Sequence, residues 1–123
     1  RIIPNLGSQK YLSLLKITSV LVGNSSSGIW EAPSFKTPVV NIGTRQYRRL
    51  KANNVIDVNN NKDEIKASIL YALNNEEFKA KLKYCSNPYG DGNTAPKTVE
   101  ILLQLKLNST LINKWIESND SFL

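Results

Sequence analysis

The chain has 123 residues, of which 41% are hydrophobic, and its formal net charge is +6 at pH 7. This length has room for one small domain, and the hydrophobic fraction is typical of a folded protein, not a disordered one. With one cysteine and no histidine, the sequence excludes an internal disulfide, a cysteine-rich zinc site, a histidine-ligated metal and any serine–histidine or cysteine–histidine nucleophile.

The first part of the chain is predicted to alternate between strand and helix. Residues 2–3 could end a short strand, and Ser8 is a candidate N-cap for a helix that runs to about Ile17. Residues 19–23 form a short run of the kind found in buried parallel strands, and a short helix is predicted within 29–35.

The same alternation continues downstream. Strands are predicted at 38–42 and 55–58, and Asn60 or Asn61 is expected to cap the helix that follows. The remaining predicted helices are 76–84, a segment that Thr94 caps, and 111–116. Because helix-length segments separate the strands, we predict an α/β fold with a Rossmann-like parallel sheet, here of four short strands.

Small and polar residues fill the connection between the second predicted strand and its helix. They are Asn24, Ser25, Ser26, Ser27 and Gly28. Ligands of parallel sheets bind beyond the carboxyl ends of the strands, where unpaired N–H groups at a helix start and serine hydroxyls suit a phosphate. The alternative is that the serines only cap the helix. No Gly-Lys-Ser/Thr follows, so the segment is not a P-loop.

Charged side chains follow this segment. Glu31 lies one turn into the predicted helix, where it would bind a ribose or simply complement the helix dipole. Arg45, Arg48 and Arg49 come after the next strand, and the guanidinium fork donates two parallel hydrogen bonds to a phosphate. The alternatives are a solvated basic loop and an RNA-contacting patch, but Tyr47 is the only aromatic residue in this run, which disfavours RNA.

A second loop, 89–93, has the sequence Tyr-Gly-Asp-Gly-Asn and is dense in turn-forming residues. Asp91 is its only acid, which is too few for an EF-hand calcium site. We therefore expect a structural loop, and we expect neither a metal nor another cofactor for this chain.

Three of these segments, 23–33, 40–46 and 89–93, occur in an order that resembles the UDP-N-acetylglucosamine 2-epimerase family. The resemblance is strongest to the hydrolysing branch, which releases UDP and N-acetylmannosamine for sialic-acid-type sugars, and it runs from about Asn5 to about Leu105. It implies a GT-B architecture, in which two Rossmann-like domains hold the substrate between them.

The chain resembles the later part of the second of these domains. Residues 1–107 would be a partial UDP-binding domain, and residues 108–123 a C-terminal helix that packs toward the first domain. The family's acid and base groups come from the first domain, and a histidine comes from early in the second. The resemblance therefore implies that this chain has no catalytic residue of its own and is not active alone.

The resemblance also implies roles for individual residues. Ser25 and Ser26 would hold the diphosphate, Glu31 would bind the ribose, and Arg45 would face the phosphates. The rest of the expected UDP site is formed by the neighbours in the serine motif: Asn24, Ser27 and Gly28. One position departs from the family, since related sequences commonly have glycine, in an Arg-Gln-x-Gly-Arg pattern, where this chain has Arg48.

The expected partners are a UDP-sugar, the first domain of the same protein and further copies of the full-length chain, with neither nucleic acid nor membrane. No apolar run approaches the about 18 residues that span a membrane, and no secretory signal opens the chain, so a cytoplasmic protein is expected. A non-catalytic nucleotide-sugar-binding module and a related GT-B glycosyltransferase remain as alternatives. The sugar itself, N-acetylglucosamine or a 2,4-diacetamido-trideoxy sugar, stays open.

Overall fold

The computed structural model describes residues 2–105. The elements follow one another in the order α1 (Gly7–Ile17), β1 (Leu21–Gly23), α2 (Ser27–Trp30), a 3-10 helix (Ala32–Phe35), β2 (Val39–Ile42), β3 (Val55–Val58), α3 (Lys62–Asn74), α4 (Glu76–Lys83) and α5 (Thr94–Gln104). The chain divides into two units, 1–91 and 92–123, and α5 belongs to the second. The predicted helix at 111–116 lies outside the described residues.

The three strands form one parallel sheet in the order β1-β2-β3. The predicted α/β fold with a Rossmann-like parallel sheet is therefore confirmed. The prediction of a further strand that ends at residues 2–3 is wrong, because these residues are not in a strand and the Ile2 side chain is 96% exposed. Two adjacent β-branched residues suggest a strand, but in the described part of the chain these two have no strand to pair with.

Two apolar clusters cover the two faces of the sheet. Leu21, Val39 and Val55 are aligned across the three strands and pack in one cluster, with Leu15 of α1. Ile56 is one residue further along β3 and packs in the other cluster, whose buried members are Ala72, Phe78 and Leu82 of α3 and α4. Because side chains alternate between the faces of a strand, this places helices on both sides of the sheet.

Asparagine side chains cap two of the described helices, α3 and α4. The side-chain Oδ1 atom of Asn61 accepts hydrogen bonds from the N–H groups of Asp63 and Glu64 at 2.9 and 3.0 Å, which identifies Asn61 as the cap of α3. The prediction that Ser8 caps α1 is wrong, because α1 starts at Gly7. The prediction for Thr94 is wrong by one position, since Thr94 is the first helical residue of α5 and Asn93 is the N-cap.

No helix between residues 2 and 105 combines the length and the apolar character that crossing a membrane requires.

Candidate functional site

The candidate site lies at one edge of the sheet, where β1 and β2 end. These strands are parallel neighbours, and Gly23 at the end of β1 is aligned with Asn41 of β2. The segment after β1, Asn24–Ser27, is named the serine loop, and the segment after β2, Gly43–Lys51, is named the basic loop. Both loops leave the sheet at its carboxyl edge, which is where parallel sheets bind their ligands.

The hydroxyl groups of the serine loop have different surroundings. Ser25 Oγ accepts a weak hydrogen bond from the Ser27 N–H at 3.3 Å. Ser27 Oγ lies 2.5 Å from the Tyr11 hydroxyl. Ser26 occupies the N-cap position of α2, yet its side chain makes no capping hydrogen bond. Helix capping therefore does not account for the Ser26 hydroxyl, which is half-buried and free to bind a ligand.

The backbone of the serine loop offers fewer donors than a helix start would suggest. Helix α2 has only 4 residues, so its dipole is small. The Ser27 N–H is directed to Ser25 Oγ, and the Gly28 N–H donates to the Ser25 carbonyl at 3.2 Å. The expectation of a row of unpaired N–H groups is thus wrong for these two positions. A phosphate here would depend mainly on hydroxyl groups and a cation.

Gly28 is buried and lies against the sheet, not against open space. A Cβ at this position would lie 2.8 Å from Val39 Cγ1, closer than real Cβ atoms come to such a neighbour. The missing side chain lets α2 pack tightly on β2, and this close approach fixes the height of the serine loop above the sheet.

The basic loop presents its three arginines in different ways. The Arg49 guanidinium lies 5.1 Å from the centre of the Trp30 ring, and that of Arg48 lies 5.7 Å from the centre of the Tyr47 ring. Arg45 is exposed, and among residues 2–105 no hydrogen bond, ion pair or ring contact engages its guanidinium. The residue types alone did not decide among the three arginines, the family resemblance implied Arg45, and the structure leaves Arg45 available.

Gln46 joins the two loops. Its side chain is only 1% exposed, and its Nε2 donates a 2.7 Å hydrogen bond to the carbonyl oxygen of Asn24. Since Arg45 directly precedes Gln46, this bond holds the Arg45 backbone beside the serine loop. The Gln46 Oε1 atom is buried and has no partner within the described residues. Sequence reasoning missed this contact, because a glutamine in a basic loop gives no sign that it is buried.

Glu31 directly follows α2, whose last turn carries the Glu31 N–H to Ser27 carbonyl hydrogen bond at 3.0 Å. Its side chain is exposed. The structure therefore leaves the Glu31 carboxylate exposed, one turn after Ser27.

The segment 87–91 contacts both α2 and the basic loop. Asn87 Nδ2 donates to the carbonyl oxygen of Trp30 at 2.7 Å. The Tyr89 hydroxyl donates to the Leu50 carbonyl at 3.0 Å, and its ring lies 5.9 Å from that of Trp30. These contacts tie the end of α2 to the basic loop and give Tyr89, the first residue of the predicted loop, a structural role. No group of three metal-binding side chains occurs within residues 2–105.

The far end of the basic loop is fixed to β3. The Lys51 ammonium donates to both oxygens of Asp57 at 2.8 Å, and Asn41 Nδ2 donates to the same carboxylate at 2.7 Å. Partial burial would raise the pKa of Asp57, but the hydrogen bonds from Lys51 and Asn41 and the Lys51 charge outweigh it and lower the pKa. Lys51 is thereby committed to Asp57 and not to a ligand.

Cys85 is not a candidate nucleophile. It is buried, and this burial raises the pKa of its thiol, although a backbone hydrogen bond and the charge of Lys36 act in the opposite direction. A thiol in such surroundings stays protonated and unreactive.

The chain is similar in sequence to known proteins. A sequence profile of the family described as UDP-N-acetylglucosamine 2-epimerase matches residues 1–103. A Legionella pneumophila protein named UDP-N,N'-diacetylbacillosamine 2-epimerase (hydrolyzing) is 44% identical over 114 residues, a match that covers 93% of this chain and 29% of that protein.

Two further relatives are similar over shorter stretches. A Campylobacter jejuni protein named GDP/UDP-N,N'-diacetylbacillosamine 2-epimerase (hydrolyzing) is 61% identical over 57 residues, which are 46% of this chain and 15% of that protein. An Escherichia coli protein named polysialic acid biosynthesis protein P7 is 37% identical over 102 residues, which are 83% of this chain and 26% of that protein. The chain thus spans less than a third of the length of these relatives.

Proposed function

This chain belongs to the UDP-N-acetylglucosamine 2-epimerase family, whose fold is GT-B-like, and we propose that its serine loop and Arg45 bind the diphosphate of a UDP-sugar. The observation that carries this proposal is the hydrogen bond from Gln46 to the Asn24 carbonyl. This bond links the basic loop to the serine loop, and it supports the proposal that Arg45 and Ser26 act together, since neither side chain is occupied by another described residue.

The chemistry of these groups fits a diphosphate. Ser25 and Ser26 offer hydroxyl donors to phosphate oxygens, and Arg45 offers a charge with a planar pair of N–H groups. Glu31 accepts hydrogen bonds from the ribose hydroxyls. Asn24 contributes through its exposed side chain and its backbone, while Gly28 contributes by letting α2 approach the sheet. Ser27 completes the loop.

These residues stabilise the leaving group in the reaction that we propose for the whole protein. In a hydrolysing 2-epimerase, a UDP-sugar and water give UDP and the free 2-epimeric sugar, so negative charge grows on the departing diphosphate. Donors already in place at that position lower the energy of the transition state. The acid and base groups that act on the sugar are supplied from outside this chain, which has no histidine.

The sugar is proposed to carry an acetamido group at C2. N-acetylglucosamine, giving N-acetylmannosamine, is the substrate that the family description suggests. The printed names of two relatives favour UDP-N,N'-diacetylbacillosamine instead. Parallel assays of the full-length protein with both UDP-sugars, following UDP release, decide between them. We expect the protein to act in the cytoplasm as a homo-oligomer.

The binding site is tested by calorimetric titration of the full-length protein with UDP and with uridine. Ser26→Ala and Arg45→Ala are each expected to weaken UDP binding and to leave uridine binding unchanged, since uridine lacks the phosphates. Ser19→Ala is the control for the lost hydroxyl, because Ser19 precedes β1 at the opposite end of that strand. Lys66→Ala is the control for the lost charge, since it lies exposed on α3. If UDP binds equally to all four variants, the proposed diphosphate site is wrong.

A further inference from the structure

We propose that Tyr11 is a positioning residue for the diphosphate site, and that its hydroxyl holds Ser27 so that the serine loop is already shaped for phosphate when the ligand arrives. The inference depends on the proposed UDP-binding function and deepens it. Tyr11 belongs to α1 and precedes Ser27 by 16 residues.

Packing in the core holds the Tyr11 ring in place, independently of the contact between its hydroxyl and the serine loop. It packs against the buried cluster formed by Leu15, Ala32 and Val39. A tyrosine side chain has only two rotatable bonds, so a packed ring leaves its hydroxyl little freedom. The hydroxyl lies 2.5 Å from Ser27 Oγ, which makes it a rigid anchor for the last residue of the serine loop.

The first residue of the loop is anchored as well. Gln46 holds the Asn24 carbonyl at 2.7 Å, so both ends of the serine loop are held by side chains from elsewhere in the fold. Between the anchors lie Ser25 and Ser26, whose hydroxyls are the proposed phosphate donors. Ordering a loop costs free energy at the moment of binding, and a loop that is ordered beforehand avoids this cost.

The contact does not remove Ser27 from the site. A hydroxyl has one proton to donate and two lone pairs to accept with. When Tyr11 donates to Ser27 Oγ, the Ser27 proton remains available for a phosphate oxygen. Tyr11 itself needs no contact with the ligand, which distinguishes it from Ser26 and Arg45.

The test is a double-mutant cycle in the full-length protein with Tyr11→Phe, Ser27→Ala and the combined variant. Tyr11→Phe keeps the packed ring and removes only the hydroxyl. We expect each single variant to weaken UDP binding by roughly 3- to 10-fold, the usual worth of one hydrogen bond. The combined variant should bind UDP no more weakly than Ser27→Ala alone, because the Tyr11 hydroxyl has nothing to hold once Ser27 is alanine. Uridine binding should stay unchanged throughout.

Tyr84→Phe is the matched control, since Tyr84 is 85% exposed, and it should bind UDP like the wild type. If Tyr11→Phe acts only by lowering stability, the combined variant would bind UDP more weakly than Ser27→Ala, and that result would also overturn the inference. The inference is overturned if Tyr11→Phe binds UDP normally while Ser26→Ala and Arg45→Ala do not, a result that leaves the proposed function intact. Equal weakening of UDP and uridine binding by Tyr11→Phe would also overturn it, by showing a general structural role. If the wild type does not bind UDP, both proposals fail.

Discussion

At the scale of single residues, Arg48 departs from the family pattern and has an unusual backbone conformation. Its φ angle is 63°, in the left-handed region where a Cβ clashes with the following carbonyl. The family resemblance implies glycine at this position, and the φ angle gives a physical reason for that expectation, since only glycine adopts this conformation freely. The arginine keeps the conformation of the loop at a cost in stability.

We expect Arg48→Gly to raise the free energy of unfolding by about 0.5–1 kcal/mol, because it removes the strain of a left-handed non-glycine residue. Two smaller effects oppose this gain: glycine loses more conformational entropy on folding, and the exposed contact with the Tyr47 ring is lost. Urea denaturation of the full-length protein measures this. Arg49→Gly is the control: Arg49 has no positive φ and lies over Trp30, so this change should lower stability. If both glycine variants are destabilised alike, the strain at Arg48 contributes nothing measurable.

The carboxylate of Asp57 gives a prediction about pH. Its pKa is lowered in the folded protein: burial opposes the shift, and the hydrogen bonds from Lys51 and Asn41 outweigh it. The resulting stabilisation is complete above the unfolded pKa, about 4, and is lost as the pH falls through the lower folded value. The difference in unfolding free energy between the wild type and Asp57→Asn should therefore shrink as the pH falls from about 5 to about 2. A difference that stays constant over this range would contradict the prediction.

The sequence identified the residue types at the site better than their contacts. The serine segment and the basic loop were chosen from their places after two strands, which depend on local pattern alone, and the family resemblance then implied roles for Ser26 and Arg45. Tyr11 and Gln46 were not identified as site residues, because their roles arise from contacts across 16 and 22 residues of chain. A tyrosine at helical spacing among leucines looks like core, and its ring does pack in the core. Only its hydroxyl reaches the loop.

At the scale of secondary-structure elements, the strands were predictable because each is a short β-branched run between turn residues. The ends of the helices were less so. Asn60 and Asn61 are equally good caps by residue type, and only the backbone geometry makes Asn61 the acceptor. The predicted strand at residues 2–3 failed for a similar reason, since a β-branched pair forms a strand only where a partner strand lies alongside.

We expect Asn61→Ala to lower the free energy of unfolding by about 1 kcal/mol, because two N–H groups at the start of α3 lose their acceptor. Asn60→Ala is the matched control, one residue earlier, exposed and outside the cap. It should change stability by less than about 0.5 kcal/mol. Equal effects of the two substitutions in urea denaturation would mean that the cap does not stabilise α3.

At the scale of the whole molecule, the fold brings the site together by placing two loops at one sheet edge and bracing them from several directions. α1 contributes through Tyr11, the segment 87–91 braces Trp30 and Leu50, and Asp57 of β3 holds Lys51. This bracing leaves Arg45 as a cation of the basic loop with no partner among the described residues. The net charge of +6 is spread over the chain, so a local group and not the total charge should determine how tightly an anion binds.

This distinction can be measured by the salt dependence of UDP binding. An exposed ion pair between Arg45 and a diphosphate is screened by salt, because the Debye length falls from about 10 Å at 0.1 M to about 3 Å at 1 M. Raising the NaCl concentration from about 0.05 M to about 0.5 M should weaken UDP binding to the wild type several-fold. Lys66→Ala should show the same dependence, since its charge lies on exposed α3. Arg45→Ala should bind weakly at both concentrations and with a smaller dependence on salt. If Arg45→Ala keeps the full salt dependence, the attraction comes from the overall charge, and Arg45 does not contact the diphosphate.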